Sequence, residues 1–124
     1  IGAVAIDPKD PRMVWVGTGE SWTRNSVSLG DGIYKTTDAG ETWTNMGLRD
    51  SERIAKVLID PVNTNTVYAC VPGKLWSDSN DRGVYKTTDG GTTWSKVLAG
   101  SNASTCCSMM TMDTSAPNTL YAGM

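Results

Sequence analysis

Apolar and polar residues alternate in short runs along this chain, and turns rich in Gly, Pro, Asn and Asp separate the runs. Alternation with period two puts one set of side chains on each face of a pleated strand. The first four runs are Gly2–Ile6, Met13–Thr18, Gly32–Thr36 and Thr42–Met46. Four more follow at Arg53–Ile59, Thr66–Val71, Gly83–Thr87 and Thr93–Leu98, and a last pair at Cys106–Met112 and Thr119–Ala122. Pro- and Asn-bearing turns, such as Pro8-Lys-Asp-Pro11 and Pro61-Val-Asn-Thr-Asn65, punctuate them. Little or no helix is expected.

The runs repeat as a set. Gly32-Ile-Tyr-Lys-Thr-Thr-Asp-Ala-Gly-Glu-Thr-Trp43 returns 51 residues later as Gly83-Val-Tyr-Lys-Thr-Thr-Asp-Gly-Gly-Thr-Thr-Trp94. Ala5-Ile-Asp-Pro8 returns as Leu58-Ile-Asp-Pro61 and is echoed by Thr111-Met-Asp113, at a spacing of 53. Each is followed by a similar run: Val14-Trp-Val-Gly17, Val67-Tyr-Ala-Cys70 and Leu120-Tyr-Ala-Gly123. Four antiparallel strands, a to d, recurring about every fifty residues are the mark of propeller blades. The expected fold is all-β, a β-propeller segment of about two and a half four-stranded antiparallel blades. Its units are residues 1–52, 53–105 and a partial third, 106–124. Blades bury both faces against their neighbours, so none is stable alone. Both ends read as cut, since the chain opens on Ile1 and stops inside a strand. Open faces of this kind imply a longer parent or self-association, two copies supplying nearly five blades.

The strongest motif joins strands c and d: Thr36-Thr-Asp38-Ala-Gly40-Glu-Thr-Trp43 and Thr87-Thr-Asp89-Gly-Gly91-Thr-Thr-Trp94. The aspartate is expected to accept backbone N–H groups two or three residues on, closing an Asx-type turn. Gly40 and Gly91 allow positive φ. Thr36 and Thr87 offer a hydroxyl across the hairpin, and Trp43 and Trp94 are expected to bury their rings between adjacent sheets. As catalytic carboxylates Asp38 and Asp89 fail on symmetry. A general acid and its base flank one bond and need unlike surroundings, whereas these occupy identical turns one blade apart.

Composition narrows the chemistry. The 124 residues suffice for one domain, not two. Eleven Lys and Arg face thirteen Asp and Glu without runs of either sign. That excludes the clustered positive charge of a nucleic-acid binder or a polybasic membrane anchor. No run is apolar enough for a membrane-inserted helix. The absence of His removes Ser-His-Asp and Cys-His catalysis and His-ligated zinc. No cofactor and no metal site is expected. The stretch from Asp78 to Gly83 begins like a calcium loop, but Arg82 stands at its fifth position. Cys70 and the pair Cys106-Cys107 read as three small buried hydrophobes, with a link from Cys70 to the pair open because both segments read as strands. Asn102-Ala-Ser104 fits an N-glycosylation acceptor.

The sequence Thr-x-Asp-x-Gly-x-Thr-Trp resembles the Asp-box, or bacterial neuraminidase repeat. Asp-boxes occur in sialidases, xyloglucanase-type glycoside hydrolases, sortilin-type receptors and photosystem assembly factors, all β-propellers. The wider pattern of Trp15-Val-Gly-Thr-Gly-Glu20, Gly30-Asp-Gly-Ile-Tyr-Lys35, Asn45-Met-Gly-Leu48 and Arg82-Gly-Val-Tyr-Lys86 looks closest to large secreted bacterial glycosyl-hydrolase-like or sortilin-like repeat proteins. The resemblance spans essentially the whole chain and implies an extracellular or periplasmic location. The sialidase arginine cluster and nucleophilic Tyr have no matching positions here.

In such folds the connections from strand b to strand c lie on the face that usually carries the site, as the resemblance implies. Here they are long, Gly19–Asp31 and Pro72–Arg82, and long loops are often functional. The first holds Glu20, Trp22 and Arg24, the second Trp76, Asp78 and Arg82. An indole face packs on the C–H surface of a sugar while charged neighbours bind its hydroxyls. The same trio also anchors peptides, and a third option is that Trp22 and Trp76 plug their own loops. Glu20 could serve as a general acid, but no second carboxylate of matching role stands out. The expected role is a non-catalytic structural or binding segment contacting carbohydrate or peptide, with no catalytic residue assigned. One alternative is part of a glycoside hydrolase whose carboxylates lie partly outside this chain. Another is a protein-assembly scaffold of sortilin type.

Overall fold

The structure, a computed structural model, describes residues 3–19, 32–48, 54–72, 83–98, 109–112 and 120–123. The first sheet contains β1 (Ala3–Ile6), β2 (Val14–Gly17), β3 (Ile33–Thr36) and β4 (Thr44–Asn45) in sequential order. The second contains β5 (Lys56–Ile59), β6 (Val67–Val71), β7 (Gly83–Thr87) and β8 (Ser95–Leu98) in the same order. A third begins with β9 (Met109–Met112) and β10 (Leu120–Gly123). Every pairing is antiparallel. No helix occurs among the described residues.

The sequence repeat is reproduced in the register. Ala3 pairs with Gly17, Lys56 with Cys70 and Met109 with Gly123, each pair 53 residues beyond the last. The inner strands β1, β5 and β9 are neighbours, so the sheets stack face against face with their first strands together. Two complete four-stranded blades and the start of a third thus form a β-propeller segment.

Two apolar layers hold the stack. Between the first two sheets lie Trp15, Ile33, Ile54, Val57, Val67, Ala69 and Val71, with Ala3, Ala5, Ile59 and Trp94 packed around them. Between the second and third lie Tyr68, Cys70, Val84 and Met110, flanked by Ala55 and Leu58. Strand β6 shows why: Val67, Ala69 and Val71 serve one layer, Tyr68 and Cys70 the other, and all five residues are buried. Each fully buried Val or Leu contributes about 1.5–3 kcal/mol relative to exposure.

Three expectations are corrected. Strand a of the second blade begins at Lys56 rather than Arg53, because the Ile54 N–H donates backward to the Thr18 carbonyl of the first sheet at 3.1 Å. Strand d of the first blade shrinks to Thr44–Asn45. At one end the Thr42 N–H is drawn to the Asp38 carboxylate, and at the other the Asn45 side chain accepts from the Gly47 N–H. Third, the reading of three unlinked cysteines fails: Cys70 is disulfide-bonded, and the other cysteines of the sequence are Cys106 and Cys107, outside the described residues.

Cys70 itself is fully buried on β6 of the second blade. Cys70→Ser, or reduction, is expected to cost about 2–4 kcal/mol by releasing a long loop in the unfolded chain. Urea unfolding of oxidised wild type, reduced wild type and the variant measures it; coincident curves would contradict the role.

Candidate functional site

Antiparallel topology sends the connections of each sheet to two ends. At one end lie the turns after β1, β3, β5 and β7, and at the other the long connections after β2 and β6. The first end is occupied by tight hydrogen-bonded turns. Asp7 accepts from the Lys9 N–H at 2.8 Å, and Asp60 accepts from the Val62 N–H at 2.9 Å and the Asn63 N–H at 3.3 Å. Lys9 Nζ crosses to the Val62 carbonyl at 2.6 Å, tying the two blades at this end.

Between β3 and β4 the motif closes on itself. The Thr36 hydroxyl donates to Asp38 Oδ1 at 2.7 Å and accepts from the Gly40 N–H at 3.0 Å. Asp38 then accepts from the Thr42 N–H at 2.9 Å and from the Thr42 hydroxyl. The second turn is a copy. Thr87 donates to Asp89 Oδ1 at 2.7 Å and accepts from the Gly91 N–H at 3.0 Å, while Asp89 takes the Thr93 N–H at 3.0 Å and its hydroxyl at 2.6 Å. The carboxylate therefore reaches a donor four residues on, not two or three. Two successive left-handed residues, Ala39 and Gly40 (φ 62° and 95°) or Gly90 and Gly91 (73° and 101°), curl the chain back over it.

These donors act on the acids. The hydroxyls of Thr36 and Thr42, with the Thr42 N–H, hold the Asp38 carboxyl at about 2. The Thr93 hydroxyl and N–H, with the Thr87 hydroxyl, hold Asp89 well below the usual carboxylate range. Each carboxylate spends its hydrogen bonds inside its own turn, so the two are not assembled into an acid–base pair.

The tryptophans differ. Trp94 reaches across the interface: its Nε1–H donates to the Met46 carbonyl at 2.8 Å, and its ring meets Trp15 edge to face at 6.0 Å. Trp43, expected between sheets, is 43% exposed and donates to Gly40 of its own turn at 3.1 Å. No preceding sheet stands against it among the described residues.

At the opposite end the necks of the long connections are pinned. The Thr18 hydroxyl donates to the Gly32 carbonyl at 2.6 Å and the Thr18 N–H to the same oxygen at 3.1 Å. Val71 and Gly83 pair as the last rung of β6 and β7. Ile54 links the necks: its N–H bonds Thr18, and its side chain lies where a Cβ on Gly17 would approach within 2.7 Å. Glu20, Trp22, Arg24, Trp76, Asp78 and Arg82, the residues proposed from sequence, all lie outside the described residues. No three Cys, Asp or Glu side chains gather to hold a metal ion among the described residues.

Sequence reasoning missed Lys35 and Trp15. Lys35 Nζ sits 5.0 Å from the Trp15 ring centre and donates to Gly90 of the next blade's turn at 3.4 Å. Lys86, its repeat partner, lies 5.5 Å from the Tyr68 ring. The Tyr-Lys-Thr-Thr-Asp repeat contained the signal, since a Lys kept before the turn in both copies faces the aromatic of strand b.

No protein-family model matches the chain. It is similar to a probable oligoxyloglucan-reducing end-specific xyloglucanase of Neosartorya fischeri, 33% identical over 101 residues, covering 76% of the chain and 10% of that protein. A xyloglucanase of Hypocrea jecorina is 33% identical over 108 residues, covering 78% of the chain and 12% of that protein. One of Acetivibrio thermocellus is 31% identical over 116 residues, covering 85% and 12%. Among solved structures, a Niastella koreensis GH74 enzyme superposes with a TM-score of 0.69 at 24% identity, over 98% of this chain and 17% of that one. An ancestral GH74 enzyme gives 0.68 at 20% identity, over 97% and 16%. The structural likeness supports the fold. The chain spans 10–12% of the length of these curated relatives.

The turns generate two tests. Both aspartates have lower pKa values folded than unfolded, so their stabilisation is complete above the ordinary Asp value of about 3.9. It is lost as pH falls through the folded values, that is, from about pH 4 to 2 and below. The melting temperature should fall across that window, and less steeply in the Asp38→Asn, Asp89→Asn double variant. An equal slope in both proteins would contradict the assignment. In the second test, Gly40→Ala should cost about 1–2 kcal/mol, for positive φ alone. Gly91→Ala should cost at least about 1 kcal/mol more, because its Cβ would also stand 2.7 Å from Trp15. Chemical denaturation of the two variants measures the difference.

Proposed function

We propose that the chain is a two-and-a-half-blade portion of a xyloglucanase-like glycoside hydrolase, with Asp-box turns at one end and its carbohydrate contacts at the other. The observation that carries this is the run of xyloglucanases among its relatives, at 33% identity over three quarters of the chain. It favours the hydrolase reading over a purely structural segment. Nothing in the geometry of the described residues favours the sortilin-type scaffold or a peptide ligand.

The chemistry of the described acids agrees. Asp7, Asp38, Asp60 and Asp89 are all committed to turns. A general acid needs a raised pKa and a free reach to the glycosidic oxygen; turn-bound carboxylates lack that reach, and those of Asp38 and Asp89 are shifted the opposite way. Within this chain Glu20 and Asp78, on the long connections, are the acids assigned to sugar contact, and the catalytic pair is completed by carboxylates beyond residues 1–124. Trp22 and Trp76 would stack on sugar rings, while Arg24 and Arg82 bind hydroxyls. Their loops start from pinned necks, which sets where each loop leaves the sheet while leaving its tip to suit the substrate. Extracellular location fits the polysaccharide substrate, and the Cys70 disulfide fits an oxidising compartment.

Xyloglucan hydrolysis and affinity electrophoresis of the protein carrying residues 1–124 test the proposal. Trp22→Ala and Trp76→Ala should each weaken xyloglucan binding about threefold to tenfold, the scale of one lost aromatic stack, with the melting temperature retained. Absence of hydrolysis and of retardation by xyloglucan, or peptide capture with no glycan response, would overturn it.

A further inference from the structure

Ile54 and Ala55 immediately precede β5, which begins at Lys56, and each directs its N–H to a different blade. The Ile54 N–H donates to the Thr18 carbonyl of the first sheet at 3.1 Å, and the Ala55 N–H to the Cys70 carbonyl of the second at 2.9 Å. Successive residues of an extended chain face opposite sides, so one dipeptide can serve two neighbours. The side chains divide in the same way. Ile54 packs in the layer between the first and second sheets, and Ala55 against the layer between the second and third.

Both acceptors sit at the root of a long connection. Thr18 follows β2, and its hydroxyl and N–H hold the Gly32 carbonyl, where the chain returns. Cys70 is fully buried, disulfide-bonded and one rung from the Val71–Gly83 pair that closes the second connection. The two donors are one residue apart, a length set by bond geometry, and a buried N–H is costly to leave without a partner. Ile54 is also held from the side, because it is fully buried and a Cβ on Gly17 would stand 2.7 Å from its Cγ2. The link lies wholly between the two four-stranded sheets.

We propose that Ile54 and Ala55 are positioning residues that hold the roots of the connections after β2 and β6 at one spacing, so that both connections engage a single extended glycan at once. The inference rests on the reading of those connections as carbohydrate contacts and adds that they act as a pair. Two contacts on one stiff support raise the affinity for a ligand long enough to reach both, and leave that for a short ligand unchanged. Loosening the support therefore removes the advantage of length before it removes binding.

The test uses the protein carrying residues 1–124, with xyloglucan and a single-repeat xyloglucan oligosaccharide as ligands. Wild type should bind the polymer at least about tenfold more tightly than the oligosaccharide. Ile54→Ala should lower that ratio about threefold or more with oligosaccharide affinity retained, and Ile54→Val, which keeps the Cγ2 methyl facing Gly17, should restore it. Gly17→Ala, which pushes on Ile54 from β2, should act like Ile54→Ala and serves where that variant fails to fold. Lys35→Met removes a bond across the same interface at the turn end, and should lower the melting temperature while leaving the ratio at its wild-type value. Amide exchange at Thr18, Gly32 and Ala55 reads the roots without ligand. It should quicken about tenfold in Ile54→Ala and Gly17→Ala but not in Lys35→Met. An unchanged ratio, equal loss of both ligands or unchanged exchange in the Ile54→Ala and Gly17→Ala variants would overturn the proposal. Wild type that binds both ligands equally would overturn it alone, whereas wild type that binds neither would overturn the carbohydrate reading and the proposal with it.

Discussion

The packing of Trp15 against the turn of the following blade governs how the sheets stack. Its ring is fully buried, with Gly91 beneath it, Trp94 at its edge and Lys35 over its face. The approach is so close that any side chain at residue 91 would have to displace it. The indole N–H finds no hydrogen-bond partner among the described residues, a cost of about 1–3 kcal/mol. Burying 150–250 Å² of aromatic surface is worth about 4–6 kcal/mol, so the ring stays inside despite its orphaned donor. Lys35 adds a link to the Gly90 carbonyl and Trp94 one to Met46, so the interface has both a filled core and fixed polar edges.

This arrangement explains why the turn must be rigid. The residues that receive Trp15 belong to a loop, and a loop that moved would lose the fit. The aspartate supplies the rigidity locally, by holding the hydroxyl before it and the N–H and hydroxyl four residues after it. The work is divided between the ends of the sheets: one end is used to register blade against blade, which leaves the other free for long connections on pinned necks. Pinning matters there for a related reason, since Thr18 binds both its own loop and the start of the next blade through Ile54.

Much of this was legible in the sequence, because a repeat constrains more than a single run can. Two twelve-residue copies that agree at nine positions point to the strand order, and the 53-residue spacing carries over directly into register. The failures have physical causes. The reach of Asp38 to Thr42 depends on Ala39 taking a positive φ, which a residue with a Cβ adopts only under tertiary pressure. The exposure of Trp43 could not be read from a motif whose Thr, Asp, Gly and Trp positions it shares with Trp94, because the difference lies in what stands beside the sheet. The early end of strand d at Asn45 reflects a side chain competing for a backbone donor, which alternation does not encode. The Cys70 link was open in sequence and needed the third dimension. The candidate sugar contacts lie on the loops, where no repeat restrains the residues, and pattern reasoning has least purchase there.

The acids show how an electrostatic signal should be weighed. Perturbed carboxylates mark functional sites often enough that Asp38 and Asp89 invite the inference. The sign of the perturbation argues otherwise. A general acid at neutral pH needs its protonated form favoured, by burial or a like charge nearby. Here hydroxyl and amide donors favour the ionised form instead, and they occupy the oxygens that a substrate would need. The effect of this chemistry is to make the turn hard to open, and an acid that cannot give or take a proton near neutral pH is suited to holding a blade in place. The end of the sheets that carries these turns is thus committed to stacking blade on blade, and it is for this reason that the proposed sugar contacts are assigned to the connections after β2 and β6 instead.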